Sequence, residues 1–182
     1  MFILVVLAIA LVLGVIRGGM IVNLADVNIR WRGLILLGFL IQILIFSDFW
    51  QARNEMSALT PLAYLASLGL LLVALAMNYQ LPGMRLIASG FCLNFVVIAL
   101  NGGYMPASTD ALTAAGLPPL LPGQVSTNSI GIGPDTRLVF LIDIFAIPQW
   151  LIFANVFSIG DVLITVGAVY MIQQVMVAHR GS

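Results

Sequence analysis

The chain of 182 residues is 62% hydrophobic and 8% charged, has a net charge of zero and contains no lysine. Soluble domains average about 25% charged residues, and so short a chain cannot hide this much apolar surface within itself, so its solvent is expected to be lipid. A nucleic-acid role is excluded for want of a basic patch to neutralise phosphates.

Cys92 is the sole cysteine and His179 the sole histidine. This leaves no intrachain disulfide, no cysteine cluster for a metal, and no histidine-based metal site or triad within one chain. Cys92 lies in an apolar run and reads as a buried, inert thiol.

Residues 2–19 make the first expected span, provided Arg17 snorkels to the interface. Because the first arginine follows the apolar core, an uncleaved helix is expected and not a signal peptide. Ala10, Gly14 and Gly18 recur every four residues and predict a smooth packing face. A polar loop with Asp26, Arg30 and Arg32 follows, in which Trp31 is placed as an interfacial anchor. Residues 33–49 form the second span, closed by an aromatic belt at Phe49 and Trp50. Gln42 inside it is expected to hydrogen-bond a neighbouring helix. After a short loop with Arg53 and Glu55, Pro61 opens the third span, 61–77, where its missing N–H costs nothing. Leu81-Pro82-Gly83 is a tight turn. The fourth span is 84–100, with Asn94 in its middle. The last is 160–178, closed by His179 and Arg180.

Residues 101–137 hold five of the eight prolines and only three charges. They are too long for a connector and too apolar for a disordered linker, so a folded cap is expected. It should contain a short helix over 109–115, with Ser108 or Thr109 as N-cap and Gly116 as the stop. Residues 138–157 are mostly apolar yet contain Asp143, Pro148, Gln149, Trp150 and Asn155. They re-enter the bilayer, lie at its interface, or form a sixth span. The expected fold class is an all-α membrane protein. It is one integral membrane domain over residues 1–182, with five transmembrane helices and an outer cap over 101–159. Five spans put Arg17, Arg30, Arg32, Arg85 and Arg180 on one side and Arg53 and Arg137 on the other. By the positive-inside rule the N-terminus is outside and the C-terminus in the cytoplasm. A sixth span would put Asp143 and the Pro148-Gln149 break inside the bilayer, which is costly.

Two polar strings border the cap: Asn101-Gly102-Gly103-Tyr104-Met105-Pro106 and Ser158-Ile159-Gly160-Asp161. With them, Asn101, Tyr104, Arg137, Asp143 and Asp161 form a candidate outer pocket. The two carboxylates could do acid–base work, relay protons or hold a cation. Equally, Asp161 caps the last helix and Asp143 pairs with Arg137 or Arg53. Gly102 and Gly103 stop a helix or form an anion-binding nest. Gly131-Ile132-Gly133-Pro134 lacks the strand–helix context of a dinucleotide site, and no nucleophile elbow is present. No catalytic residue, metal set or particular cofactor is assigned.

These strings carry a resemblance. Together with Arg17-Gly18-Gly19, Leu81-Pro82-Gly83-Met84 and Asp135-Thr136-Arg137-Leu138, they make the chain look like an uncharacterised family of small bacterial integral membrane proteins, a domain-of-unknown-function family. The chain departs from that pattern at Ile142, where Gly is expected, and around Asn128-Ser129, where a His is expected. The resemblance implies a fold and a bacterial cytoplasmic-membrane location, and no reaction. The poverty of reactive side chains points to a non-enzymatic role. The leading expectation is an accessory or structural subunit packed in lipid against a larger membrane complex, such as an energy-transducing one. The alternative is a small carrier, or a protein that binds a lipid, quinone or cation in the outer pocket.

Overall fold

The structure is a computed structural model that describes residues 2–54, 58–151 and 154–177. Glu55, His179 and Arg180, and the side chain of Arg53, lie outside the described residues. Five long helices dominate: α1 (Phe2–Ile16), α2 (Arg32–Ile45), α4 (Leu59–Met77), α5 (Met84–Leu100) and α7 (Ile159–Val177). Two short ones join them, α3 (Asp48–Asn54) and α6 (Thr109–Ala114). Both α4 and α7 have 19 residues and mean hydropathies of 2.1 and 1.5, so they are long and apolar enough to cross a membrane. The other long helices are apolar but shorter.

Several helix ends differ from the expected spans. Helix α1 stops at Ile16, because the chain turns at Gly18 with φ of 78°. Ala10 and Gly14 do pack against α7, but Gly18 lies exposed beyond the helix. Helix α2 stops at Ile45. Ser47 then starts α3, its Oγ accepting the Trp50 N–H at 3.3 Å, as an N-cap does. Cys92 is exposed on the outside of α5, not buried.

The long helices pack in the order α2, α4, α5, α7, α1, with α1 and α2 at the two ends of the arc. The tightest seam is antiparallel. Gly83, the N-cap of α5, and Gly90 within it face Gly167 and Gly160 of α7, each pair seven residues apart, and a Cβ on any of the four would strike the opposite backbone. Such small-residue seams let helices approach closely where lipid supplies no hydrophobic drive. The main core joins Ile45, Tyr64, Leu68, Val97, Ile98, Met105 and Ile142. Gln42 donates to Ser67 Oγ at 3.2 Å, tying α2 to α4.

The cap contains strands, which departs from an all-α fold. In one sheet, β3 (Ser129–Gly131) pairs in parallel with β1 (Met105–Ala107) and antiparallel with β2 (Val125–Ser126). Helix α6 forms where expected, after an extended Ser108 and before Gly116 with φ of 68°. The described part of residues 138–157 contains no helix. It is a ribbon of β4 (Phe145–Ile147) and β5 (Asn155–Phe157), closed by a stacked Phe145–Phe157 pair.

Two asparagines clasp the loops to the helix ends in the same way. Asn78, just past α4, accepts from Arg30 N at 2.8 Å and donates to Arg30 O at 2.9 Å and Ala74 O at 2.7 Å. Asn101, just past α5, accepts from Arg137 N at 2.9 Å and donates to Arg137 O at 3.1 Å and Val97 O at 2.8 Å. Each side-chain amide pairs with a peptide as a strand would, while holding its own helix terminus.

Candidate functional site

Asp143 reaches its place through the backbone on either side of it. Ile142 is wholly buried in the main core. Asp143 N donates to Pro106 O at 3.0 Å, and Ser108 N donates to Asp143 O at 3.0 Å. Thus β1 holds the Asp143 backbone against the underside of the cap. The residue is only 8% exposed. Among the described residues no cation pairs with its carboxylate and no side chain donates to it; Arg137, expected as a partner, is exposed instead. Burial, and after it the negative charge of Asp161, pushes the Asp143 pKa up to about 7.

Asp161 is placed differently, by a capping box at the start of α7. Its Oδ2 accepts from Ser158 N at 2.9 Å, while Ser158 Oγ accepts from Asp161 N at 3.1 Å. Asn94 extends this box to α5: its Nδ2 donates to Asp161 Oδ1 at 2.9 Å, and Ser158 Oγ lies 2.8 Å from Asn94 Oδ1. The capping reading of Asp161 therefore holds, and its oxygens are already engaged.

Both carboxylates open on one cavity of 440 Å³ beneath the cap. Its walls come from all five long helices. Ile3, Phe39, Leu68, Leu71, Phe91, Phe95 and Ile164 make it apolar. Its polar end is formed by Asn94, Asn128, Ser129, Asp143, Asn155 and Asp161, with Tyr64, whose hydroxyl interacts with Asn128, and Gln42. A concave space with apolar walls and converging polar groups is the usual form of a small-molecule site.

The five residues expected to form one pocket are separated. Asp143 and Asp161 share this cavity. Asn101 and Arg137 line a different groove on the cap, beside Gly123 and Gly133. Tyr104 lines neither and is half-buried; burial raises its pKa. Tyr64, Asn94, Asn128 and Asn155 are site residues that the sequence did not group with the carboxylates; Asn94 and Asn155 stand out locally as polar residues in apolar stretches. No group of three or more His, Cys, Asp or Glu stands together among the described residues. The cavity can therefore accept hydrogen bonds, hold positive charge and exchange a proton.

Fold and site define a mainly helical protein with two candidate membrane-crossing helices and a polar-ended cavity roofed by a small mixed cap. The chain belongs to a family of unknown function (DUF5317), whose model matches residues 26–173. That match takes in α2 through most of α7, including both carboxylates. No curated protein and no solved structure matches the chain.

Proposed function

We propose that this is a multi-pass protein of the bacterial cytoplasmic membrane that binds or carries an amphiphilic small molecule under its outer cap. In this reading α1, α2, α4, α5 and α7 are five spans, with the N-terminus outside and the C-terminus in the cytoplasm. The exposed Leu4, Ile9 and Val12 of α1 and Leu36, Leu40 and Ile43 of α2 support lipid contact along the two shortest of the five long helices. The observation that carries the binding role is Asp143: a buried carboxylate with no partner among the described residues, opening on an apolar cavity. Burying a carboxyl without a partner costs the fold stability whether it ionises or is held neutral with a raised pKa, so a structural role alone does not account for it.

An accessory-subunit role is the second reading. It draws on the same exposed faces of α1 and α2, which a partner helix would cover as well as lipid does. Native mass spectrometry of the protein released from its own membrane in mild detergent separates the two. A monomer carrying a small molecule, lost on Asp143→Asn substitution with the fold intact, is the expected result. A stoichiometric protein partner and an empty cavity would replace the binding role with the subunit role. A C-terminal reporter tests the topology independently; activity outside the cytoplasm would overturn the five-span arrangement.

A further inference from the structure

We infer that the cavity takes a lipophilic organic cation, an ammonium or phosphonium bearing apolar groups, which enters from the bilayer between α1 and α2 and sets its charge against Asp143. This rests on reading the cavity as a ligand site and adds its chemical class and route.

Charge decides the class first. The cavity wall carries two carboxylates and no arginine, lysine or histidine. An anionic headgroup would meet repulsion with nothing to offset it. Asp161 is occupied by Ser158 and Asn94, whereas Asp143 has no partner among the described residues and is the one carboxylate free to pair. A bare metal ion is held by a cage of several oxygen ligands, usually with more than one free carboxylate, and the described residues contain no group of three or more His, Cys, Asp or Glu. A bulky organic cation is weakly hydrated and needs one counter-charge plus apolar contact. Phe91 and Phe95 also line the space, and aromatic faces attract such cations.

The route follows from the arc. Neighbouring helices pack from α2 through α4, α5 and α7 to α1, but α1 and α2 share no extensive contact. Ile3 of α1 and Phe39 of α2 both line the cavity. The open side of the arc therefore lies between two apolar helices that would face lipid, where a membrane-dissolved ligand is concentrated.

Proton balance is then defined. Without ligand, Asp143 keeps its proton below about pH 7, because burial and the Asp161 charge disfavour the anion. The titratable groups facing it are Tyr64 from α4 and Asp161 from α7; α2, α5 and β1 bring only uncharged residues to the cavity. As the cation enters below that pH, the Asp143 proton leaves to water and the net charge of the site is unchanged; above it, the cation pairs with the carboxylate already formed.

The test uses the full chain in detergent micelles with tetraphenylphosphonium as probe and tetraphenylborate, its anionic counterpart of the same shape, as control. Tetraphenylphosphonium should bind saturably, about tenfold more tightly at about pH 8 than at about pH 6, as linkage to a group titrating near 7 requires. Binding at the lower pH should release close to one proton into weak buffer. Asp143→Asn should abolish binding and proton release, Asp143→Glu should retain both, and tetraphenylborate should not bind. Should Asp143→Asn fail to fold, the pH dependence and proton release of the unaltered protein decide alone. Cation binding without pH dependence, or equal binding of the anion, would overturn the inference. If a neutral short-chain quinone binds and the cation does not, the ligand site stands and the cation falls. If no probe binds, both fall.

Discussion

Replacing Gly160 by alanine puts a methyl group where α5 and α7 touch. The new Cβ would fall on Asn94 Oδ1 and lie 2.7 Å from Gly90 O, so either the helices separate or Asn94 turns away. Overpacking of this kind costs about 1–3 kcal/mol. Displacing Asn94 also removes its hydrogen bond to the Asp161 carboxylate, and bonds to charged groups contribute about 1.5–3 kcal/mol. Alanine returns up to about 1 kcal/mol through helix propensity, less in the first turn where Gly160 sits. The net expectation is a loss of about 1.5–6 kcal/mol. Gly69→Ala in α4 is the matched control: nothing lies within 4 Å of its Cβ position, so only the propensity gain remains and stability should rise slightly. Unfolding in mixed micelles of graded sodium dodecyl sulfate, followed by tryptophan fluorescence, measures both. If Gly160→Ala is as stable as the unaltered protein, or shifts as Gly69→Ala does, the close α5–α7 seam described here is wrong.

Asp143 should give the fold a pH dependence of definite sign. Its folded pKa of about 7 lies above its ordinary 3.8, so folding favours the neutral acid. Stability should be greatest below about pH 4, decline as pH rises and level off above about 7. Asp143→Asn should flatten that decline in thermal melts between those limits. Asn101→Ala removes three hydrogen bonds at the cap hinge and should cost about 1–3 kcal/mol. Arg137→Ala leaves the clasped peptide in place and should be nearly neutral; amide exchange across residues 101–137 distinguishes the two. Ser158→Ala breaks the capping box and should destabilise by about 0.5–2 kcal/mol, read by chemical denaturation.

What the sequence revealed was mostly local. The 109–115 helix followed from Ser108 and Gly116, the Gln42 cross-link from a lone amide in an apolar span, and the capping role of Asp161 from its place after Ser158. The break at Ser47 was equally local but was passed over, because the apolar run continues through Phe49 and Trp50. The strands were not readable, since three-residue strands such as β1 and β5 are too short for an alternating pattern. The seven-residue spacing of Gly83 with Gly90 and of Gly160 with Gly167 was present, but only folding shows that the two pairs meet. The cavity draws on residues from Ile3 to Ile164, and Asn94 stands 67 residues from Asp161. No local pattern brings such distant groups together, so grouping the candidate residues by polarity joined Asn101 and Arg137 to a site they do not share.

The paired clasps also act as a ruler. In the five-span reading Asn78 and Asn101 stand at opposite membrane faces, and each fixes the peptide of an arginine, Arg30 and Arg137, to a helix end. Between those faces α5 runs for 17 residues, about 26 Å at about 1.5 Å per residue. A typical hydrocarbon layer is about 30 Å thick. Because the asparagines grip backbone, changing the arginine side chains would not lengthen this distance. In that reading a span this short is met by local thinning of the bilayer or snorkelling of flanking residues, so the molecule should partition towards lipids with shorter acyl chains.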